Sequence, residues 1–146
     1  MTVVVGVDGL PASLAAIRLA LDEATYRAAD LVAVMGYTDS TALGTPAARP
    51  ISTSRPLAEE RQLAESALRA AVALAVGDHE RVELRVVVGL PGHALVETAR
   101  EVKAQLVVLT ARKEGSPSRL LGAVSQYVLR NTPCPVLVVP PSPDLT

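Results

Sequence analysis

The feature that most constrains the fold is a regular alternation of short β-branched runs with longer segments rich in Ala and Leu. Continuous apolar runs, such as TVVVGV at residues 2–7, are typical of parallel strands that are covered on both faces. The longer segments repeat apolar residues three and four positions apart, as amphipathic helices do. The pattern therefore predicts an α/β fold in the order βαβαβαβαβ. The predicted strands are residues 2–7, 31–37, 81–88, 105–110 and 136–139, and the predicted helices are about 12–29, 56–76, 91–103 and 120–131.

Strands that alternate with helices favour a parallel sheet with helices on both faces. Right-handed crossovers leave few topologies open, and in such sheets ligands bind where the strand order reverses. If the order is 3-2-1-4-5, the reversal lies between the first and fourth strands, and we expect Asp8, Thr110 and Gly36 near it. The length of 146 residues predicts a single domain over residues 1–146, with a long polar loop at 38–55.

Composition excludes several classes of function. Aromatic residues are 2% of the chain, so the usual stacking surface for single-stranded nucleic acid is missing. A net charge of −1 lacks the basic surplus of DNA-binding domains. The apolar runs are far short of the ~20 residues that span a membrane, and no Lys or Arg precedes an apolar stretch in residues 1–10. We therefore predict no nucleic-acid or membrane partner and a cytoplasmic location.

The sequence contains no recognisable catalytic or metal-binding motif. The turn after the first strand reads GVDGLP rather than GxGxxG, and neither GxxxxGK[ST] nor GxSxG occurs. His79 and His93 have no nucleophile beside them by motif, and they are interpreted as solvated or helix-capping residues. Cys134 has no cysteine to pair with and is interpreted as a small buried hydrophobe. We predict a protein that is not an enzyme and holds no metal.

Two polar features remain as candidates for a binding site. Asp8, at the end of the first strand, could accept hydrogen bonds from a ligand, or it could cap the next helix or accept loop amides. The loop at 111–119 (ARKEGSPSR) brings Arg112, Lys113 and Arg119 ahead of a helix N-terminus, which suits an anion such as phosphate. Glu114 cancels part of that charge, and a solvated loop is the alternative interpretation.

Four stretches carry a resemblance to a known family. They are GVDGLPASLAAIRLALDEA at 6–24, GLP at 89–91, AQLVVLTAR at 104–112 and LLGAVSQYVLRNTPCPVLVVP at 120–140. Over nearly its whole length the sequence resembles the universal stress protein family. The resemblance implies an adenine nucleotide alpha hydrolase-like fold with a five-stranded parallel sheet of order 3-2-1-4-5. It also implies a stress-response role through protein contacts or through sensing of a small ligand. It also implies a homodimer that pairs through the last strand, formed here by Val136, Leu137, Val138 and Val139.

The ATP-binding branch of that family carries Gly-x2-Gly-x9-Gly-[Ser/Thr] after its fourth strand. In this chain Thr110 and Lys113 stand at the first two glycine positions, and Ala123 stands at the hydroxyl position. Gly122 matches the third glycine, but eight residues rather than nine separate it from Lys113. A side chain at Lys113 adds bulk where backbone would approach phosphate. The resemblance thus implies a degraded ATP motif without a bound cofactor, with an adenine nucleotide in a modified phosphate loop as the alternative. The candidate nucleotide-binding residues are Asp8, Gly36, Thr110, Arg112, Lys113, Gly122, Ala123, Val124 and Ser125.

Overall fold

A computed structural model describes residues 1–39, 55–78, 81–111 and 122–140 of the chain. These residues form five strands and four helices in the alternating order that the sequence predicts. The elements are β1 (Thr2–Gly6), α1 (Ser13–Tyr26), β2 (Asp30–Tyr37), α2 (Leu57–Val76), β3 (Val82–Val88), α3 (Pro91–Glu101), β4 (Leu106–Thr110), α4 (Ala123–Asn131) and β5 (Val136–Val139).

The strands form one parallel sheet in the order β3-β2-β1-β4-β5, as predicted. β1 lies at the centre, where Val5 is in register with Ala33 of β2 and Val108 of β4. β3 and β5 are the two edges of this sheet. The change of direction in strand order falls between β1 and β4, so the carboxyl ends of these two strands mark the crevice where ligands bind in this architecture.

Helices cover both faces of the sheet, and the alternation of side chains along β1 explains its continuous apolar run. Val3 and Val5 pack with α1 and α2 in one apolar cluster, whereas Val4 packs with α3 and α4 in the other. All three valines are fully buried. A strand between two helical layers needs apolar residues at every position, because successive side chains point to opposite faces.

The ends of several elements differ from the prediction. α1 ends at Tyr26 rather than at residue 29, because Ala28 adopts a left-handed φ of 51° that no helix continues. α3 ends at Glu101 for the same reason, with Lys103 at a φ of 53°. α4 begins at Ala123 rather than at residue 120, since the extended Gly122 (φ −65°, ψ 166°) is its N-cap. Of the predicted loop at 38–55, residues 40–54 lie outside the described part of the chain.

None of the four helices described here is long and apolar enough to cross a membrane.

Candidate functional site

The crevice is bounded by the residues at which the chain leaves β1 and β4. Beyond the end of β1, the Val7 amide still donates a hydrogen bond to the Val34 carbonyl of β2 at 2.9 Å. Beyond the end of β4, the Ala111 amide donates to the Val139 carbonyl of β5 at 2.7 Å. Asp8 is therefore the first residue of its strand to leave the sheet. It lies at the reversal of strand order, as we predict from the sequence.

Asp8 organises the turn between β1 and α1. Its Oδ1 accepts a hydrogen bond from the Leu10 amide at 2.9 Å, across a left-handed Gly9 with φ +79°. The buried Ser13 hydroxyl donates to the Leu10 carbonyl at 2.8 Å and holds the turn on α1. Within the described residues, Oδ2 of Asp8 accepts no hydrogen bond, and the side chain is exposed. The prediction that Asp8 accepts a loop amide is thus confirmed.

The other predicted role of Asp8, as a helix cap, is wrong. The N-cap of α1 is Ala12, and no side chain caps this helix end. The reason is geometric, since the carboxylate is engaged at the Leu10 amide, three positions before the helix begins at Ser13. Contact between Asp8 and a ligand stays a prediction.

Thr110 connects the end of β4 to the start of α1. Its hydroxyl donates to the Ala12 carbonyl at 3.5 Å, in a half-buried position. The structure therefore brings Thr110 together with the Asp8 turn, as the predicted topology requires. This contact turns the hydroxyl toward the backbone of the helix start.

Gly36 lies near the end of β2, and a packing constraint explains it. A Cβ built on this residue would lie 2.8 Å from the Gly89 carbonyl oxygen, 3.1 Å from Pro91 Cα and 3.2 Å from Ala94 Cβ. Any side chain here would therefore collide with the backbone that leads into α3. Two residues further on, the Thr38 Oγ1 atom is buried and has no hydrogen-bond partner in the described part of the chain. Sequence patterns did not single out Thr38, since the lack of a partner is visible only in three dimensions.

The start of α4 contains the remaining described candidates. Gly122 is the N-cap, and its carbonyl accepts the Gln126 amide at 3.0 Å. Ala123 and Val124 are exposed, whereas Ser125 is only 2% exposed and shares the buried face of the helix with Val128. The amides at this helix start carry partial positive charge. Arg112 and Lys113, with Glu114 and Arg119, lie outside the described residues, as does His79.

Two other residues of interest in the sequence are His93, at the start of α3, and Cys134, before β5. His93 Nδ1 is 3.1 Å from the Tyr127 hydroxyl, in a contact between α3 and α4. Cys134 precedes β5, at the opposite end of the sheet from Asp8, and is partly buried. Burial raises the pKa of the Cys134 thiol, and a hydrogen bond from Thr132 opposes the rise. The described residues hold no group of three His, Cys, Asp or Glu side chains suited to a metal ion.

The fold agrees with the comparison to known proteins. The universal stress protein family model matches residues 1–140 of this chain. This chain belongs to the universal stress protein family. A universal stress protein of Methanocaldococcus jannaschii is 31% identical over 138 residues, which are 94% of this chain and 80% of that relative.

Two further relatives in the universal stress protein family are similar over nearly the whole of this chain. One from Mycolicibacterium smegmatis is 35% identical over 142 residues, which are 97% of this chain. The chain spans only 46% of the length of that relative. The second is a universal stress protein whose crystal structure was determined in complex with cAMP. Its sequence is 35% identical to this chain, the TM-score of the two structures is 0.63, and the match covers 97% of this chain and 98% of that protein.

Proposed function

We propose that this chain is a cytoplasmic, non-catalytic stress-response protein that acts as a homodimer and senses a small adenine nucleotide. The nucleotide would bind in the crevice at the ends of β1 and β4, and its presence would be relayed through protein contacts. The observation that carries the proposal is the Asp8 carboxylate, which the Leu10 amide holds at the crevice through Oδ1. Its second oxygen is available to accept hydrogen bonds from ribose hydroxyl groups. A relative of similar length, 35% identical, binds cAMP, which supports this ligand class.

The sequence of the phosphate loop favours a short phosphate group over a triphosphate. Lys113 replaces a glycine, one residue is missing ahead of Gly122, and Ala123 replaces the hydroxyl of the ATP-binding pattern. A lysine cation attracts phosphate, but any side chain at this glycine position adds bulk where backbone would approach a triphosphate. We therefore expect AMP and cAMP to bind more tightly than ATP.

The proposal of a non-catalytic role is supported by where the candidate bases and nucleophiles of the described residues lie. Hydrolysis of a phosphate ester needs a positioned base, nucleophile or metal ion close to the reacting phosphorus. In the described part of the chain, His93 is engaged with Tyr127 and Cys134 lies at the other end of the sheet. Asp8 already accepts a loop amide, so we assign it to ligand binding.

Asp8→Asn tests the nucleotide site with the turn left in place. The asparagine keeps an oxygen for the Leu10 amide, but the second carboxylate oxygen becomes an NH₂ donor that cannot accept from ribose. Hydrogen bonds to charged groups contribute about 1.5–3 kcal/mol, so we expect the Kd for cAMP or AMP to rise by about 10- to 100-fold. Calorimetry measures that Kd, and thermal unfolding without nucleotide checks that the fold is unchanged.

Ligand stabilisation provides a second measurement on the unmodified chain. At a nucleotide concentration 100-fold above Kd, the free energy of unfolding should rise by about 2.7 kcal/mol. When cAMP, AMP, ADP and ATP are compared at one equal concentration, the free energy of unfolding should rise most with the two monophosphates. Equal affinity of Asp8→Asn and the natural chain for cAMP would contradict the assigned site. No stabilisation by any of the four would contradict nucleotide sensing itself.

The proposed homodimer uses the outer edge of β5. In the described residues β5 pairs only with β4, and Val136, Leu137 and Val138 are half-buried along that edge. The Pro135 and Val139 carbonyls accept amides of Val107 and Ala111 in and beside β4. Since the bonded residues alternate, the N–H groups of Val136 and Val138 point away from β4. An unpaired apolar edge of this kind favours pairing with a second strand.

Val138→Pro removes one outward amide without removing a bond to β4, and proline is tolerated at such edge positions. We expect this variant to be a monomer in analytical ultracentrifugation where the natural chain is a dimer. Leu137→Ala is the matched control, because it leaves the outward amides in place and should remain dimeric. A dimer of Val138→Pro with undiminished affinity would place the interface elsewhere.

A further inference from the structure

A groove of about 450 Å³ follows the outer edge of β3, away from the nucleotide crevice. Four consecutive strand residues, Leu84 to Val87, form its floor. Leu68 and polar residues of α2 border it on one face of the sheet, and Glu101 of α3 borders it on the other. Because helices from both faces contribute, the groove opens directly on the edge of the sheet.

The backbone of β3 offers unpaired hydrogen-bonding groups to this groove. The Gly89 amide, just past the strand, donates to the Tyr37 carbonyl of β2 at 2.8 Å. Bonding to a neighbouring parallel strand involves alternate residues, so the N–H and C=O groups of Leu84 and Val86 point outward. Among the described residues no strand pairs with this side of β3. Such an edge is the feature to which an extended peptide adds as a further strand.

The side chains of α2 that line the groove carry an excess of positive charge, since Arg61 and Arg69 outnumber Glu65. Three arginines, Arg61, Arg69 and Arg85, line it with two glutamates, Glu65 and Glu101. Arg61 donates to Glu65 at 3.0 Å, and Arg85 is paired with Glu83 at 3.3 Å and with Glu101 at 3.4 Å. Arg69 forms no hydrogen bond or ion pair within the described part of the chain. Exposed ion pairs of this kind are weak, so a carboxylate of a bound peptide can replace Glu65 as the partner of Arg61.

The spacing of the arginines on α2 matches the repeat of a strand. Arg61 and Arg69 are eight positions apart, which corresponds to about 12 Å along a helix. Two strand residues four positions apart are separated by about 13 Å and point to the same face. We propose that an extended, acidic segment of a partner protein adds to β3 as a further strand, with two carboxylates four positions apart that pair with Arg61 and Arg69.

A synthetic peptide with blocked ends, Thr-Glu-Val-Val-Thr-Glu-Thr, serves as the probe. Its two glutamates lie on one face, with an apolar side chain between them to contact Leu84. Titration into the full chain, followed by amide NMR, should shift the signals of Leu84 and Val86. Arg69→Glu should weaken binding by about five- to tenfold, the effect of losing one exposed pair and gaining a repulsion. Arg69→Lys, which keeps the charge, should retain affinity within about threefold.

The backbone contribution is tested separately from the charges. Val86→Pro removes an outward amide and leaves the bonds to β2, so it should abolish peptide-induced shifts while circular dichroism remains native. If that variant does not fold, a peptide N-methylated at the amides that would face β3 makes the same test on the natural chain. A peptide with lysine at both glutamate positions should bind at least about tenfold more weakly. Asp8→Asn should leave peptide affinity unchanged, since the groove and the crevice are separate sites.

Several outcomes would overturn the proposal. They are an absence of binding at millimolar peptide, equal affinity of the natural chain and Arg69→Glu, or shifts confined to the β5 edge. Concentration-dependent shifts of Leu84 and Val86 without peptide would instead show that a second copy of this chain occupies the groove.

Discussion

Replacement of Gly36 by alanine should destabilise this protein at the point where β2 meets the start of α3. The added methyl group would lie 2.8 Å from the Gly89 carbonyl oxygen and 3.1 Å from Pro91 Cα. Both atoms belong to backbone that the sheet and helix hold in place. Gly6, also in a strand, makes a matched control, because its added methyl group would meet only the end of the Leu95 side chain, at 2.9 Å.

The expected magnitudes follow from these contacts. Overpacking in a close-packed region costs about 1–3 kcal/mol, and Gly36→Ala belongs at the upper part of that range, since backbone cannot rotate away. Alanine also lowers the conformational entropy of the unfolded chain, which stabilises the folded state by about 0.4–1 kcal/mol. We therefore expect Gly36→Ala to lower the free energy of unfolding by about 2 kcal/mol. Gly6→Ala should lower it by less than about 1 kcal/mol, because the Leu95 methyl groups can shift.

Urea unfolding monitored by circular dichroism measures the difference. With a denaturant slope of about 2 kcal/mol per molar, the midpoint of Gly36→Ala should fall by about 1 M. Protein concentration is held constant, because the proposed dimer would make the apparent stability depend on it. If Gly36→Ala unfolds at the same midpoint as Gly6→Ala, the argument that backbone contact decides the cost is refuted.

Three other predictions concern the crevice and the cysteine. Ser13→Ala removes the buried hydroxyl bonded to the Leu10 carbonyl and should lower the free energy of unfolding by about 1 kcal/mol in urea titrations; no change would show that the turn holds without it. Burial raises the pKa of the Cys134 thiol, so its thiolate forms at higher pH than that of free cysteine. Iodoacetamide at pH 8 should therefore react with Cys134 more slowly than with glutathione, and an equal rate would contradict the burial. Lys113→Gly combined with Ala123→Ser restores two positions of the ATP-binding pattern and should raise the affinity for ATP about tenfold in calorimetry, whereas unchanged affinity would show that the shortened loop is the obstacle.

Local sequence determined the elements and the place of Asp8 at the carboxyl end of the first strand. The continuous apolar run that contains Val4 predicts a strand covered on both faces, and β1 is such a strand. Asp8 follows that run directly, so its place at the carboxyl edge of the sheet required no knowledge of other segments. The ends of α1 and α3 could not be predicted in this way. Ala28 and Lys103 adopt left-handed backbone that is unusual for their residue types, so no sequence signal marks them.

Tertiary structure decided which distant residues meet. Gly36 could be predicted as a residue near the site, but its packing against Gly89 and Pro91 depends on how a chain segment more than fifty positions away returns to the sheet. The arginines of the β3 groove were not recognised for the same reason, since Arg61 and Arg85 lie on a helix and a strand 24 positions apart. Strand and helix patterns arise from interactions between near neighbours in the chain. Grooves and close backbone contacts arise only when the strands and helices pack together, because they depend on the register between segments that share no local pattern.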